Sequence, residues 1–452
     1  MTSNVYKIKV GREDFMKKKN GWALLPIGIF VVLYVALGVI FEYALGIEMG
    51  FYSVPIVVVF LVALLFACIQ NREHKLSEKL AIMARGVGDG NIMTMIVIFM
   101  MAGVFVGVVG RESAESVAYF VLSIVPPWLA VLMLFVVSCF VSTAMGTSVG
   151  TISLLVPISV AVSTASGFSA PLCIGAVMGG AMFGDNLSFV SDTTIAACNG
   201  QGCGMRDKFK TNFVIVIPAA IATLIVTLVL SLGADATQIE GKEYNLIQMV
   251  PYILVLISGI VGINVFITLL IGIVSGTVIM LATGAVDFYG LVTRMGGGAS
   301  GMYETVMVTV LVSALCALIR EAGGFEALLS FIRRIFRGKK AGQLGMGLLV
   351  GAMDIATANN TVAIVMANPI AKEMADEYGV SPKKTASILD TFSCIFQGFL
   401  PYGAQMLVAI SAAAEAGVTV GPFAIMANLF YPILLFVSSL VFIFIVPERR
   451  AK

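Results

Sequence analysis

The sequence predicts an all-α polytopic membrane protein of about twelve membrane segments in two inverted repeats, with helical hairpins and broken helices. Hydrophobic residues make up 59% of the 452 residues, and the mean hydropathy is +1.00. Apolar runs of about 20 residues, the length of a membrane-spanning helix, recur along the whole chain. A formal net charge of only +2 gives no reason to expect a nucleic-acid partner, so the lipid bilayer is the expected surrounding.

Loop charges divide this chain into five parts. The basic residues 1–20 are expected in the cytoplasm by the positive-inside rule, followed by a first transmembrane repeat over 21–233. An acidic external linker over 234–246 leads to a second transmembrane repeat over 247–446. The basic tail 447–452 is again cytoplasmic. We therefore expect a multi-pass protein of the cell inner (plasma) membrane, with both termini in the cytoplasm.

Matching residues at nearly constant offsets indicate the repeat. The sequence Arg-Gly-Val-Gly at 85–88 has its counterpart in Arg-Met-Gly-Gly at 294–297, 209 residues later. Further on, Pro157 corresponds to Pro369 and Gly167 to Gly379, at an offset of 212. Loop 72–85 is rich in basic residues, whereas its counterpart in the second half has few. Conversely, 111–127 has few basic residues, whereas 320–340 has many. This exchange of charge predicts that the two halves are inverted across the membrane.

The two halves contain similar series of predicted segments. In the first half, spans are followed by a mostly external stretch, a polar-tipped helical pair, a broken crossing and a final span. These lie at 22–41, 51–69, 91–109, 111–127, 128–165, 171–204 and 212–232. The second half has spans, a polar-tipped pair, a broken crossing and a return segment. These lie at 246–263, 264–282, 303–319, 344–375, 386–412 and 422–446.

The broken crossing of the first half carries two aspartates, Asp185 and Asp192, among hydroxyl and amide side chains. An ionisable residue at membrane depth is costly, so it usually has a function. Secondary transporters bind ions and substrates at broken helices near the bilayer midplane. We expect Asp185 at the break and Asp192 at a helix N-cap. A polar loop outside the membrane is the alternative.

Polar residues recur at the two hairpin tips and in the second crossing. Two inward turns and two breaks that meet across a pseudo-two-fold axis would form one polar chamber, near Thr147, Asn360, Asp185 and Gln397. The predicted ion- or substrate-binding residues are Asp185, Asn186, Ser188, Ser191, Asp192, Thr193, Thr147, Ser148, Asp354, Asn359, Asn360, Thr361, Gln397 and Gln405.

One segment resembles a known family. The sequence GDNLSFVSDTT, at 184–194, is similar to the GDKxSPLSDTT signature of NhaC-type sodium/proton antiporters, which belong to an ion-transporter superfamily of inverted-repeat carriers with helical hairpins. The resemblance implies a site at Asp185, Ser188, Ser191, Asp192 and Thr193. Asn186 replaces the lysine of the signature, and Phe189 replaces its proline. The first change removes a cation beside Asp185, so the ion preference and stoichiometry of the family do not transfer directly.

The residue chemistry independently favours a cation site. Na+ is a hard ion that prefers oxygen ligands, and Asp185, Asp192 and Ser188 are the predicted ones. Desolvation favours the protonated carboxyl group, whereas a bound cation favours the carboxylate, so one aspartate can hold either Na+ or H+. These ions are transported, and no resident cofactor or enzymatic activity is expected. The sequence contains no GxxxxGK[ST] nucleotide-binding loop.

Three functions remain open at this point. The first is a Na+/H+ antiporter that works by alternating access at mid-membrane aspartates. The alternative is a Na+- or H+-coupled carrier of a small organic solute, an amino acid or carboxylate, favoured by the polar turn at Asn359–Thr361 and the two glutamines. A non-transporting scaffold ranks last. The small-xxx-small patterns at Gly103–Gly107 and Gly175–Gly179 predict close helix packing, and a homodimer is a further open alternative.

Overall fold

The computed structural model describes residues 19–47, 50, 53–189, 191–232 and 244–445, which form helices and connecting turns without a strand. Most of the predicted N-terminal segment 1–20 and external linker 234–246, and the whole tail 447–452, lie outside these residues. The described part of the first half contains nine α-helices. They are α1 (Leu25–Val39), α2 (Ile56–Gln70), α3 (Leu76–Val87), α4 (Gly90–Ile124), α5 (Ala130–Met145), α6 (Ser148–Ser166), α7 (Ala170–Leu187), α8 (Asp192–Gln201) and α9 (Met205–Leu232).

The second half contains eleven helices in the described chain. They are α10 (Leu246–Val261), α11 (Val265–Ala282), α12 (Phe288–Gly301), α13 (Tyr303–Glu321), α14 (Gly324–Ile335), α15 (Lys339–Thr357), α16 (Asn360–Tyr378), α17 (Pro382–Gly398), α18 (Ala404–Glu415), α19 (Pro422–Ala427) and α20 (Phe430–Phe444).

Apolar helices dominate the fold. Eight helical stretches of the described chain are long and apolar enough to cross a bilayer, and four further apolar helices are shorter. The predicted all-α membrane fold is therefore confirmed, whereas the count of twelve segments stays a prediction. The helix order also recurs, because the hairpin α5–α6 and broken crossing α7–α8 have counterparts in α15–α16 and α17–α18.

The predicted end of the span 91–109 coincides with a break in α4. The backbone at Gly110 is non-helical, with φ 65°, and the apolar span of α4 ends there. A second helical part continues to Ile124, and Ser113 and Val117, four residues apart on one face of it, are buried. The external location of 111–127 stays a prediction.

Glycines allow α5 and α7 to pack closely. A Cβ atom on Gly184 would overlap Ser142 and lie 2.5 Å from the backbone nitrogen of Thr143. Ser142 Oγ donates a hydrogen bond of 2.6 Å to the carbonyl oxygen of Ala181, which a wider helix separation would not allow. The last turn of α7, which carries Asp185, consequently lies against the end of α5.

The predicted small-residue packing is confirmed within the chain. Cβ atoms on Gly103 and Gly107 of α4 would overlap the backbone carbonyls of Gly298 and Arg294 in α12. A Cβ atom on Gly175 would lie 2.5 Å from the backbone oxygen of Asn428. Both patterns therefore pack against other segments of the same chain.

Candidate functional site

The two hairpins turn with the same backbone conformation. The turn of the first has Gly146 in the left-handed region, with φ 70°, and the turn of the second has Ala358 there, with φ 50°. The Gly146 N–H donates to the carbonyl oxygen of Ser142 at 2.8 Å, and the Ala358 N–H donates to that of Asp354 at 2.7 Å. Both hairpins therefore end α5 and α15 with the same left-handed turn.

The residue after each turn caps the returning helix. Thr147 Oγ1 accepts from the N–H of Gly150 at 3.3 Å, and Asn359 Oδ1 accepts from the N–H of Val362 at 3.0 Å. Each cap uses the side chain type that a helix N-terminus favours. The next residue, Ser148 or Asn360, is thereby fixed at the tip.

The break of the first crossing lies after Asp185. Helix α7 continues through Asp185 and ends at Leu187, since Ser188 adopts an extended conformation with φ −72° and ψ 141°. Asp192 is the first residue of α8, and Ser191 occupies the N-cap position without a side-chain capping bond. Asp185 was expected at the break, but the break lies a few residues after it. Asp192 was expected at the N-cap, but it lies one residue after the N-cap.

Two hydroxyl groups hold the carboxylate of Asp185. Ser148 Oγ from the first hairpin tip donates to Oδ2 at 2.9 Å, and Ser191 Oγ from the break donates to Oδ1 at 2.5 Å. Since the Ser191 proton is used there, Thr193 Oγ1 donates to Ser191 Oγ at 2.8 Å. On the other side, Gln405 Nε2 of α18 donates to Ser148 Oγ at 2.8 Å. The Asp185 side chain is buried and joins both repeats through Ser148.

A cavity of about 70 Å³ lies between the tips and the breaks. Ten of the predicted site residues line it, namely Thr147, Ser148, Asp185, Asp192, Thr193, Asn359, Asn360, Thr361, Gln397 and Gln405. Helix α4 contributes Thr94, Met95 and Ile98, which the sequence analysis did not single out. The two tips and the two breaks thus line one cavity in the described part of the chain, whereas its role as a binding chamber stays a prediction.

Four predicted residues do not line this cavity, namely Asn186, Ser188, Ser191 and Asp354. Ser191 lies behind Asp185, to which it is bonded, and Ser188 is buried in the break. Asn186 points towards Asp390 of α17, with its Nδ2 atom 3.4 Å from Oδ2. Ser188 was predicted as a Na+ ligand, but the structure does not bring it to the cavity wall.

The three predicted aspartates differ in their surroundings. Asp185 is buried and hydrogen-bonded, whereas Asp192 is exposed and lines the cavity. Asp354 is completely buried, and neither of its carboxylate oxygens has a hydrogen-bond partner in the described part of the chain. Only Asp185 combines burial with hydroxyl groups from two separate elements.

A buried ion pair lies beside the site and was missed by the sequence analysis. Lys208 of α9 and Asp390 of α17 are 1% and 0% exposed, and Lys208 Nζ is 2.6 Å from Asp390 Oδ2. Asn212 Nδ2 donates to the same oxygen at 2.9 Å. The available signal was Asp390 itself, an ionisable residue within the apolar stretch 386–396 that required a partner.

Comparisons with known proteins identify the family of the chain. The profile of the Na+/H+ antiporter family matches residues 21–232 and 237–440. The Na+/H+ antiporter NhaC of Bacillus subtilis (strain 168) is 22% identical, over 71% of this chain and 78% of its own. The malate-2H+/Na+-lactate antiporter of the same organism is 20% identical, over 70% and 74%. The arginine/ornithine antiporter ArcD of Halobacterium salinarum is 24% identical, over 70% and 71%.

These matches cover most of the chain, and the family profile covers both halves that share the hairpin and broken-crossing order. The resemblance first noted at 184–194 therefore extends far beyond one motif. The chain belongs to the Na+/H+ antiporter family and is a secondary transporter, not an enzyme.

Proposed function

We propose that the chain exchanges Na+ for H+, with Asp185 as the group that both ions share. The observation that carries this proposal is the buried Asp185 carboxylate between the Ser148 and Ser191 hydroxyl groups, at the wall of a cavity formed by both repeats. A carboxylate away from water is stable when protonated or when paired with a cation. One ion therefore displaces the other.

Side-chain oxygens around the cavity suit a hard cation. The Asp185 carboxylate and the Ser148 hydroxyl can both turn lone pairs towards an ion, and Asp192 and Thr193 line the same cavity. We propose these four as Na+ ligands, with Ser191 holding the carboxylate from behind. Movement of the two hairpins relative to the breaks would then expose the ion to alternate sides.

The cavity size supports an ion as the bound species. One water occupies about 10–15 Å³ on the same measure, so a cavity of about 70 Å³ holds an ion with a few waters. An organic solute requires a wider chamber than this conformation provides. This argument favours the antiporter over the solute carrier.

A coupled carrier of an amino acid or carboxylate is the second candidate. The amides of Asn360, Gln397 and Gln405 line the cavity, and the names of two relatives include organic solutes. Thermal stabilisation of the purified protein by such solutes, measured with and without Na+, separates the two candidates. Stabilisation by a solute only in the presence of Na+ would favour the carrier.

We propose the cell inner (plasma) membrane as the location, with both termini in the cytoplasm, on the loop-charge pattern of the sequence. Reactivity of single cysteines placed near each terminus in intact and permeabilised cells tests this orientation. A homodimer also stays a prediction, which the mass of the detergent-solubilised protein tests.

The function is tested by proton flux in proteoliposomes after addition of Na+. We expect Asp185→Asn to abolish Na+-dependent proton movement, because an amide can neither release a proton nor balance a cation. Asp376→Asn is the matched control, since Asp376 is exposed on α16 and away from the cavity lining. Flux that survives Asp185→Asn with an unchanged pH dependence would transfer the exchanging role to Asp192 or Asp354.

A further inference from the structure

The ammonium group of Lys208 lies where three helices meet. Its Nζ atom donates to the carbonyl oxygen of Asn186 in α7 at 2.9 Å, to Thr194 Oγ1 in α8 at 2.7 Å and to Asp390 Oδ2 in α17 at 2.6 Å. All four residues are buried. One positive charge thus connects both sides of the first break to the second repeat.

The Asn186 carbonyl requires such a partner. Helix α7 ends at Leu187, so the carbonyl groups of its last turn have no partner within the helix. Lys208 Nζ and Asn212 Nδ2 both donate to the Asn186 oxygen, each at 2.9 Å. These bonds fix the backbone of the residue that directly follows Asp185.

The side chain of residue 186 faces the same anion. Asn186 Nδ2 lies 3.4 Å from Asp390 Oδ2, the oxygen that Lys208 also contacts. A lysine at position 186, as in the resembled signature, would place its ammonium against this carboxylate. Positions 186 and 208 therefore offer two routes by which one cation can reach Asp390.

We propose that Lys208 is a positioning residue that supplies from α9 the buried cation carried by the signature at position 186. In this chain the pair with Asp390 holds the end of α7 and, through the Asn186 backbone, places Asp185 against Ser148 and Ser191. The cation lost beside Asp185 is thus relocated within the fold. The effect of this cation on transport rests on the proposed Na+/H+ exchange. Its effect on the stability of the protein does not.

The test moves the lysine back to position 186. Lys208→Met leaves Asp390 buried without a cation, and we expect the melting temperature to fall by about 5 °C or more. We expect Na+-dependent proton flux to fall at least about tenfold, because Asp185 loses its fixed position. The double variant Lys208→Met/Asn186→Lys should recover most of both quantities. If the single variant does not fold, recovery of a folded protein by the double variant is the supporting result.

Matched controls separate charge from position. Lys210→Met removes an exposed lysine from the same helix and should change neither quantity. The double variant Lys208→Met/Asp390→Asn removes both charges, so it should be more stable than Lys208→Met. Its Na+-dependent proton flux should remain low, since only Asn212 then holds the Asn186 carbonyl. Asn186→Lys alone places two cations against one carboxylate and should lower the melting temperature.

Two outcomes would overturn the relocation. One is a Lys208→Met/Asn186→Lys protein that is no more stable than Lys208→Met, and the other is a Lys208→Met protein with wild-type stability and flux. Wild-type Na+-dependent proton flux in the Lys208→Met/Asp390→Asn protein would overturn the positioning role. If the unmodified chain shows no Na+-dependent proton flux, the proposed function fails, and the melting temperatures still decide the relocation.

Discussion

Gly184 offers a quantitative test of the contact between α5 and α7. In Gly184→Ala the new Cβ atom would lie 2.5 Å from the Thr143 nitrogen, whereas atoms in ordinary contact are about 3.5–4.0 Å apart. The helices must therefore separate locally by about 1 Å. Overpacking of this kind costs about 1–3 kcal/mol in the free energy of unfolding. Loss of the bond from Ser142 to the Ala181 carbonyl adds about 1 kcal/mol.

The same displacement moves the adjacent Asp185. Its bond with Ser148 is 2.9 Å long, so a shift of about 1 Å takes the two oxygens beyond hydrogen-bond distance. We expect a total destabilisation of about 2–4 kcal/mol and a fall in Na+-dependent proton flux of about 100-fold. Thermal unfolding in detergent and flux in proteoliposomes measure the two effects.

Gly28→Ala is the control, because Gly28 lies in α1 and a Cβ atom there would meet nothing within 4 Å. This substitution should leave flux unchanged and raise stability by up to about 1 kcal/mol through helix propensity. A Gly184→Ala protein that melts and transports like the wild type would refute the argument that close α5–α7 packing positions Asp185.

Two other predictions concern the cavity wall. Asp192→Asn should raise the Na+ concentration needed for half-maximal flux. The melting temperature should change little, since Asp192 is exposed and not a helix cap. An unchanged Na+ dependence would show that Asp192 is not a Na+ ligand. Thr147→Ala and Asn359→Ala each remove an N-cap and should each destabilise the protein by about 1 kcal/mol, measured by thermal unfolding. If only one of the two substitutions is destabilising, the two tips are not energetically equivalent.

The hairpin tips were predictable because their determinants are local. Polar residues that follow Gly146, and the matching residues 212 positions later, indicate a turn and a capped helix without knowledge of the tertiary structure. The predicted position of the break was less accurate. No single residue here determines where the helix stops, and α7 continues past Asp185 to Leu187, after which Ser188 adopts an extended conformation.

The Lys208–Asp390 pair could not be placed in the same way. Lys208 belongs to a short basic segment that reads as a loop, and only the folded structure shows it one turn inside α9. Its partner is 182 residues away, and nothing in the sequence pairs one with the other. The substitution of Asn186 for the lysine of the signature was a visible clue, although it indicated a lost cation and not a relocated one.

The hydrogen bonds at Ser148 have a direction. A serine hydroxyl has one proton, which is donated to Asp185, and one of its two lone pairs accepts from the amide of Gln405 in the second repeat. A proton on Asp185, or a Na+ ion against it, changes the hydrogen bond that the carboxylate can accept from that hydroxyl. Rotation of the hydroxyl would disturb the bond from Gln405. If Asp185 is the exchanging group, as proposed, a change of ion in the first repeat would therefore alter a hydrogen bond to the second repeat through a single O–H group.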